Sequence, residues 1–218
     1  PSSHYLKEGT PTMGGIIIIL SIILPTILWS KYDNMHVWII SIATLLMAMV
    51  GFVDDYLKIV KKLSKGLIAR YKLIGQVLLG ILVSYLILNN DSPIVYNVIS
   101  SDNSLSIINP TSISIPFIAN GFLDIGYLYI PLIILIITGT SNAVNLTDGL
   151  DGLATGLVAI STLVLGAIAY ASGRIDYSNY LNIIFVPNSG ELFIFCLSVI
   201  GACIGFLWFN AYPAKVFM

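Results

Sequence analysis

The chain has 218 residues, of which 57% are hydrophobic and 10% charged, with a formal net charge of −1 and a mean hydropathy of +0.92. An average soluble domain carries about 25% charged residues, so these proportions exclude an ordinary water-soluble domain. The composition is that of a membrane protein.

Uncharged runs at 13–29, 37–53, 73–88, 127–144, 152–173 and 192–209 predict six transmembrane helices. Each is close to the ~20 residues that cross a hydrocarbon core, and the polar chain left over is too short to cover a soluble core of that size. In chain order, the first run follows "KEGTPTMGG" at 7–15, where Lys7, two hydroxyls and the backbone around Gly14 and Gly15 suit a phosphate cradle. A Thr-Pro turn entering a helix would look the same. The chain opens at Pro1 with no basic n-region and no cleavage site, so it gives no sign of a signal peptide.

The second run closes on "GFVDDYLK" at 51–58. The Asp54 and Asp55 side chains repel each other, and a divalent metal or a lysine is needed to relieve that repulsion. Lys58, at i+4 from Asp54, and Lys72, at the head of the third run, supply the charge. Solvated helix-end charges are the simpler account of the acids, but the macrodipole disfavours acids at a helix C-terminus. The third run leads into a long loop at 89–126, rich in Ser and Asn. There "SISIPFI" has the alternation of a small β-hairpin, with Pro116 suited only to an edge.

The fourth run enters "NLTDGLDG" at 145–152. With Thr147 as an N-cap, Asp148 and Asp151 would share a face in the first turn of the next helix. Capping explains one acid. It leaves Asn145 and the glycines framing both acids, an oxygen-rich set able to hydrogen-bond a nucleobase or sugar or help hold Mg2+. In the last run Cys196 and Cys203 lie seven residues apart with no His nearby, and are expected as buried thiols. The final stretch, "NAYPAKVFM", offers Asn210 and Phe217. His4 and His36 are isolated, and surface roles are expected for both.

Charge orients the spans. Lys7, Lys58, Lys61, Lys62, Lys65, Arg70, Lys72 and Lys215 fall on the side where the chain begins, against Lys31 and Arg174 opposite. That bias makes the first side cytoplasmic. All four polar stretches lie on it.

Together "GTPTMGG", "GFVDDYLK", "NLTDGLDGLATG" and "FLWFNAYPAKVFM" resemble the phospho-N-acetylmuramoyl-pentapeptide transferases of bacterial cell-wall synthesis, within the polyprenyl-phosphate hexose-1-phosphate transferases of glycosyltransferase family 4. The motifs stand in family order and cover nearly the whole chain outside the outer loop. The resemblance implies an all-α polytopic inner-membrane enzyme, ten-spanning when complete and homodimeric, with a cytoplasmic active site. Its implied reaction moves the phospho-sugar of UDP-N-acetylmuramoyl-pentapeptide to undecaprenyl phosphate and releases UMP, with Mg2+ as cofactor. The bilayer is a partner and nucleic acid is not.

Carried over residue by residue, Asp54, Asp55 and Asp148 match catalytic positions, the first as a group that deprotonates or positions the lipid phosphate. Lys7, Thr12, Asn145, Asp148, Asp151, Asn210 and Phe217 match the nucleoside-diphosphate pocket, with Phe217 stacking on uracil, and Lys58 and Lys72 suit phosphate. The family's Mg2+-binding aspartate comes just after "VFM", beyond Met218, and the first family helix is also missing. The chain is therefore expected to be a single domain, 1–218, incomplete at both ends and inactive alone. Two other readings remain: a sister transferase using UDP-N-acetylglucosamine, and an ion-coupled transporter. The transporter calls for acids at mid-span, whereas these cluster at span ends.

Overall fold

A computed structural model describes residues 14–61, 66–89, 96–99, 104–115, 118, 121–212 and 216. All six apolar runs fold as helices, because a chain shielded from water must pair its own amide and carbonyl groups. They are α1 (Gly15–Trp29), α2 (Met35–Ile59), α3 (Ala69–Leu88), α4 (Tyr129–Thr147), α5 (Leu153–Ser172) and, after a short α6 (Ile175–Leu181), α7 (Leu192–Asn210). Single 3-10 turns at Gly126–Leu128 and Ser189–Glu191 extend α4 and α7 at their starts. Five spans are long and apolar enough to cross a bilayer, while Gly15–Trp29 is a shorter apolar helix. The chain is thus an all-α polytopic membrane protein.

Helix α7 packs most extensively on α5 and α1, α3 lies along α4, and α2 joins α3 and α1. The core between α1, α5 and α7 is built from Ile22, Phe195, Cys196, Val199, Ala202 and Cys203, with Val158 and Ala159 packed against it. Both cysteines are free and buried, as expected. Helix α4 differs from its neighbours in burying none of its residues.

Between α3 and α4 the single expected hairpin is replaced by two. Strands β1 (Tyr96–Ile99) and β2 (Ser104–Ile107) pair antiparallel with Tyr96 opposite Ile107. Strands β3 (Ser112–Ser114) and β4 (Phe122–Asp124) pair with Ser112 opposite Asp124. Part of "SISIPFI" is therefore a strand, while Pro116 lies outside the described residues. Asp124 ties the second hairpin, accepting from the Thr111 hydroxyl, from Asn109 Nδ2 at 2.6 Å and from the Gly126 amide at 2.9 Å. These donors hold its carboxyl below the usual carboxylate range. At the corner between α5 and α6, the Arg174 guanidinium lies over two rings, 5.9 Å from the centroid of Tyr170 and 5.4 Å from that of Tyr177. His36 sits in the first turn of α2, its amide donating to Asn34 Oδ1. His4 lies outside the described residues.

Two local expectations need correcting. The second span does not end at Val53: α2 continues to Ile59, so Asp54, Asp55 and Lys58 all stand on helix. Thr147 is not an N-cap. It is the last residue of α4, with its hydroxyl donating to Ala143 O at 2.8 Å, and α5 begins only after Gly152. Asp148 and Asp151 consequently lie in the turn between two helices and not in a first helical turn.

Candidate functional site

The end of α2 and the start of α3 meet around one carboxylate. Asp54 Oδ2 accepts from Lys58 Nζ and from Lys72 Nζ, each at 2.6 Å, and Oδ1 accepts from the Leu67 amide at 2.7 Å. Lys58 reaches Asp54 because i and i+4 share a helix face. Lys72 reaches it from the first turn of α3. Asp55 Oδ1 stands 3.7 Å from Lys58 Nζ, so the repulsion between the adjacent acids is relieved by lysine.

Exposure separates the roles of these groups. The Asp54 side chain is 8% exposed, against 45% for Lys58 and 28% for Lys72. The carboxylate is covered while both lysine side chains remain partly exposed. An anion arriving at this end meets two cations held from behind by a buried acid. Every hydrogen bond that Asp54 makes among the described residues is to a donor, the arrangement of an ionised acceptor already engaged.

The backbone between α2 and α3 is shaped to allow this. Gly66 has φ +56°, and a Cβ added there would lie 2.5 Å from Asp54 Oδ1 and 2.6 Å from Lys58 Cε. Glycine is the residue that takes this conformation and leaves room for the acid. Leu67 then presents its amide to Oδ1.

The second group lies where α4 ends and α5 begins. Asn145 is exposed on the last turns of α4 and Asp148 is exposed in the turn, while Asp151 is partly covered. Gly152, in the left-handed region, N-caps α5, and its amide donates to Asn210 Oδ1 at 3.0 Å. Asn210 Nδ2 donates in turn to Val216 O at 2.9 Å. Asn210, named from the sequence as a pocket residue, here links the end of α7 to the start of α5. Lys7, Thr12 and Phe217 lie outside the described residues.

Three contributors escaped the sequence reading. The Leu67 amide leaves no trace in a sequence. Gly66 was one glycine among many. Gln76, which bonds to Ser141 Oγ and Asn142 Nδ2, did leave a signal: it is a lone amide in the apolar run 73–88, and polar groups inside a membrane segment mark packing or function.

Among the described residues no group of three or more His, Cys, Asp or Glu gathers to hold a metal ion, and Asp54 is already engaged by two ammonium groups. The described donors do not make up a Mg2+ site. They do bring two lysines, Lys58 and Lys72, to one carboxylate.

The model for glycosyl transferase family 4 matches residues 37–218, and a phospho-N-acetylmuramoyl-pentapeptide-transferase signature matches residues 7–19. Curated relatives named phospho-N-acetylmuramoyl-pentapeptide-transferase are 46% identical in Chlorobaculum parvum, 47% in Chlorobium luteolum and 45% in Thermodesulfovibrio yellowstonii. Each match takes in 100% of this chain and 56% of the relative. The chain spans a little over half the length of the curated relatives it matches.

Proposed function

The chain belongs to glycosyl transferase family 4, and from that premise we propose that it serves the transfer of phospho-N-acetylmuramoyl-pentapeptide from UDP to undecaprenyl phosphate at the cytoplasmic face of a bacterial inner membrane. The observation that carries this reading is the pair of ammonium groups, each 2.6 Å from the buried Asp54 carboxylate where the end of α2 meets the start of α3. The names and identity of the relatives support the transferred group, phospho-N-acetylmuramoyl-pentapeptide.

In this reading an oxygen of the lipid phosphate forms a bond to the sugar-linked phosphorus of the donor. The bond from that phosphorus to the bridging oxygen breaks, and UMP leaves with the electron pair. A dianionic acceptor needs no proton removed. Asp54, its oxygens already accepting from three donors, acts by holding Lys58 and Lys72 where the negative charge gathers. Preorganised cations of this kind stabilise charge as it shifts, without reorganisation during the step. Asn145, Asp148 and Asp151 would take the nucleotide side. Mg2+, which the resemblance brings, would share in neutralising the pyrophosphate when bound. Donor, lipid acceptor, bilayer and a second copy of the chain are the partners in this reading.

UMP release by the full-length protein in detergent, with undecaprenyl phosphate, tests it. Release with UDP-muramoyl-pentapeptide and not with UDP-N-acetylglucosamine is expected, and the reverse preference would move the chain to the sister reaction. No release with either donor from folded protein would remove the transferase reading. Asp148→Asn should lower turnover at least tenfold while leaving membrane insertion intact, because Asp148 is exposed in a turn outside the spans.

A further inference from the structure

Helix α3 carries a second polar residue on the face of Lys72. Gln76 lies four residues on, one helical turn deeper into the membrane, and is only 4% exposed. Its Nε2 donates to Ser141 Oγ at 3.1 Å and its Oε1 accepts from Asn142 Nδ2 at 3.0 Å. The same Asn142 amide donates to Thr138 O at 2.8 Å, so the side chain that grips Gln76 is braced on its own helix.

We propose that Gln76 is a positioning residue that sets the rotation and axial register of α4 on α3, and through them the placement of Asn145 and Asp148 relative to Lys72. This rests on the transferase reading above, which gives those residues to the donor nucleotide.

Three observations support the proposal. Helix α4 lies along α3 but buries none of its residues, so no fully buried apolar side chain locks its rotation. Its close apolar contact with α3 is at Gly80, where an added Cβ would lie 2.9 Å from Ile134 Cα. That contact is nearer the outer end of α4 and leaves the inner end to other restraints. The paired amides are directional, and they sit near the inner end. Asn142 precedes Asn145 by three residues on the same helix and Asp148, its C-cap, by six, so a turn of the helix at 142 carries Asn145 with it and shifts the start of the turn that holds Asp148. Loss of the clamp should therefore displace the donor-side groups and leave the Asp54–Lys72 cluster in place.

The test uses full-length protein in detergent, measuring kcat, the KM of each substrate and the melting temperature. Gln76→Leu should raise the KM for the UDP donor about tenfold, with the lipid KM within twofold of wild type. A merely structural role would reduce the folded fraction and kcat while the KM of the surviving enzyme stayed unchanged. Asn142→Ala removes the same bond from an exposed position, so the fold is preserved, and should raise the donor KM about threefold. The double variant should be no worse than Gln76→Leu alone, because both remove one interaction. Wild-type donor KM in folded Asn142→Ala, or effects of the two changes that multiply, would overturn the proposal. An inactive wild type would instead overturn the transferase reading, so the two failures are distinguishable.

Discussion

Asp54 Oδ2 accepts from two ammonium groups at once, and replacing that oxygen would leave two neighbouring cations with nothing between them. Asp54→Asn keeps the shape and removes the charge. Turnover is expected to fall at least about 100-fold, the scale of losing one preorganised electrostatic contact, with the helices still inserted. UMP release together with circular dichroism of the purified variant checks it, and near-wild-type turnover would remove Asp54 from the chemistry. Gly66→Ala acts on the same carboxylate from behind. Its Cβ would meet both Asp54 and Lys58 and its φ would be strained, together about 1–3 kcal/mol. A lower melting temperature and reduced turnover are expected, whereas Gly201→Ala, with open space around its added Cβ, should change neither. At this scale the sequence was informative where partners are close along the chain. The charge on Asp54 and Asp55, with Lys58 at i+4, indicated an ion cluster, and Lys72 was singled out by its place at the head of the third run. The Leu67 amide was not readable, because a backbone donor carries no residue signature.

Helices were readable as elements, and their ends were not. The apolar runs marked every span, since length and lack of charge decide membrane insertion. The local rule that a threonine before an apolar run caps a helix failed at Thr147 because α4 had not yet ended, and its hydroxyl was already bonded to Ala143 O. The break comes at Asp148–Gly152, where the glycines turn the chain. The end of α7 shows the same dependence on distant partners: Asn210 caps nothing in its own helix and accepts from Gly152, 58 residues away. Asn210→Ala should leave the Gly152 amide and the Val216 carbonyl without this side chain, costing about 1–3 kcal/mol where they stay dry. Hydrogen exchange at Gly152 should quicken while that of Leu67, on the other cluster, is unchanged. Equal protection at Gly152 in the variant and the wild type would show that the link is dispensable.

Across the molecule, links of this kind connect one end of five helices in sequence. Asp54 with Lys72 joins α2 to α3, Gln76 with Ser141 and Asn142 joins α3 to α4, the 148–152 turn joins α4 to α5, and Gly152 with Asn210 joins α5 to α7. In the proposed orientation, taken from the charge bias along the chain, that end faces the cytoplasm. With Cys196 and Cys203 replaced by alanine, a membrane-impermeant maleimide added to intact cells should label Asn109→Cys and spare Lys61→Cys until the cells are opened. The opposite pattern would invert the protein and place the lysine cluster outside. The same view gives a purpose to the Arg174 corner on the other face. An arginine held over Tyr170 and Tyr177 has aromatic rings suited to the headgroup layer and a charge that resists being drawn into hydrocarbon. Helix α5 ends at that corner, and its 20 residues measure about 30 Å, one hydrocarbon thickness. In the proposed orientation the corner would be the fixed end of a ruler: an anchor at one surface would set the depth at which Asp148 and Asp151 emerge at the other.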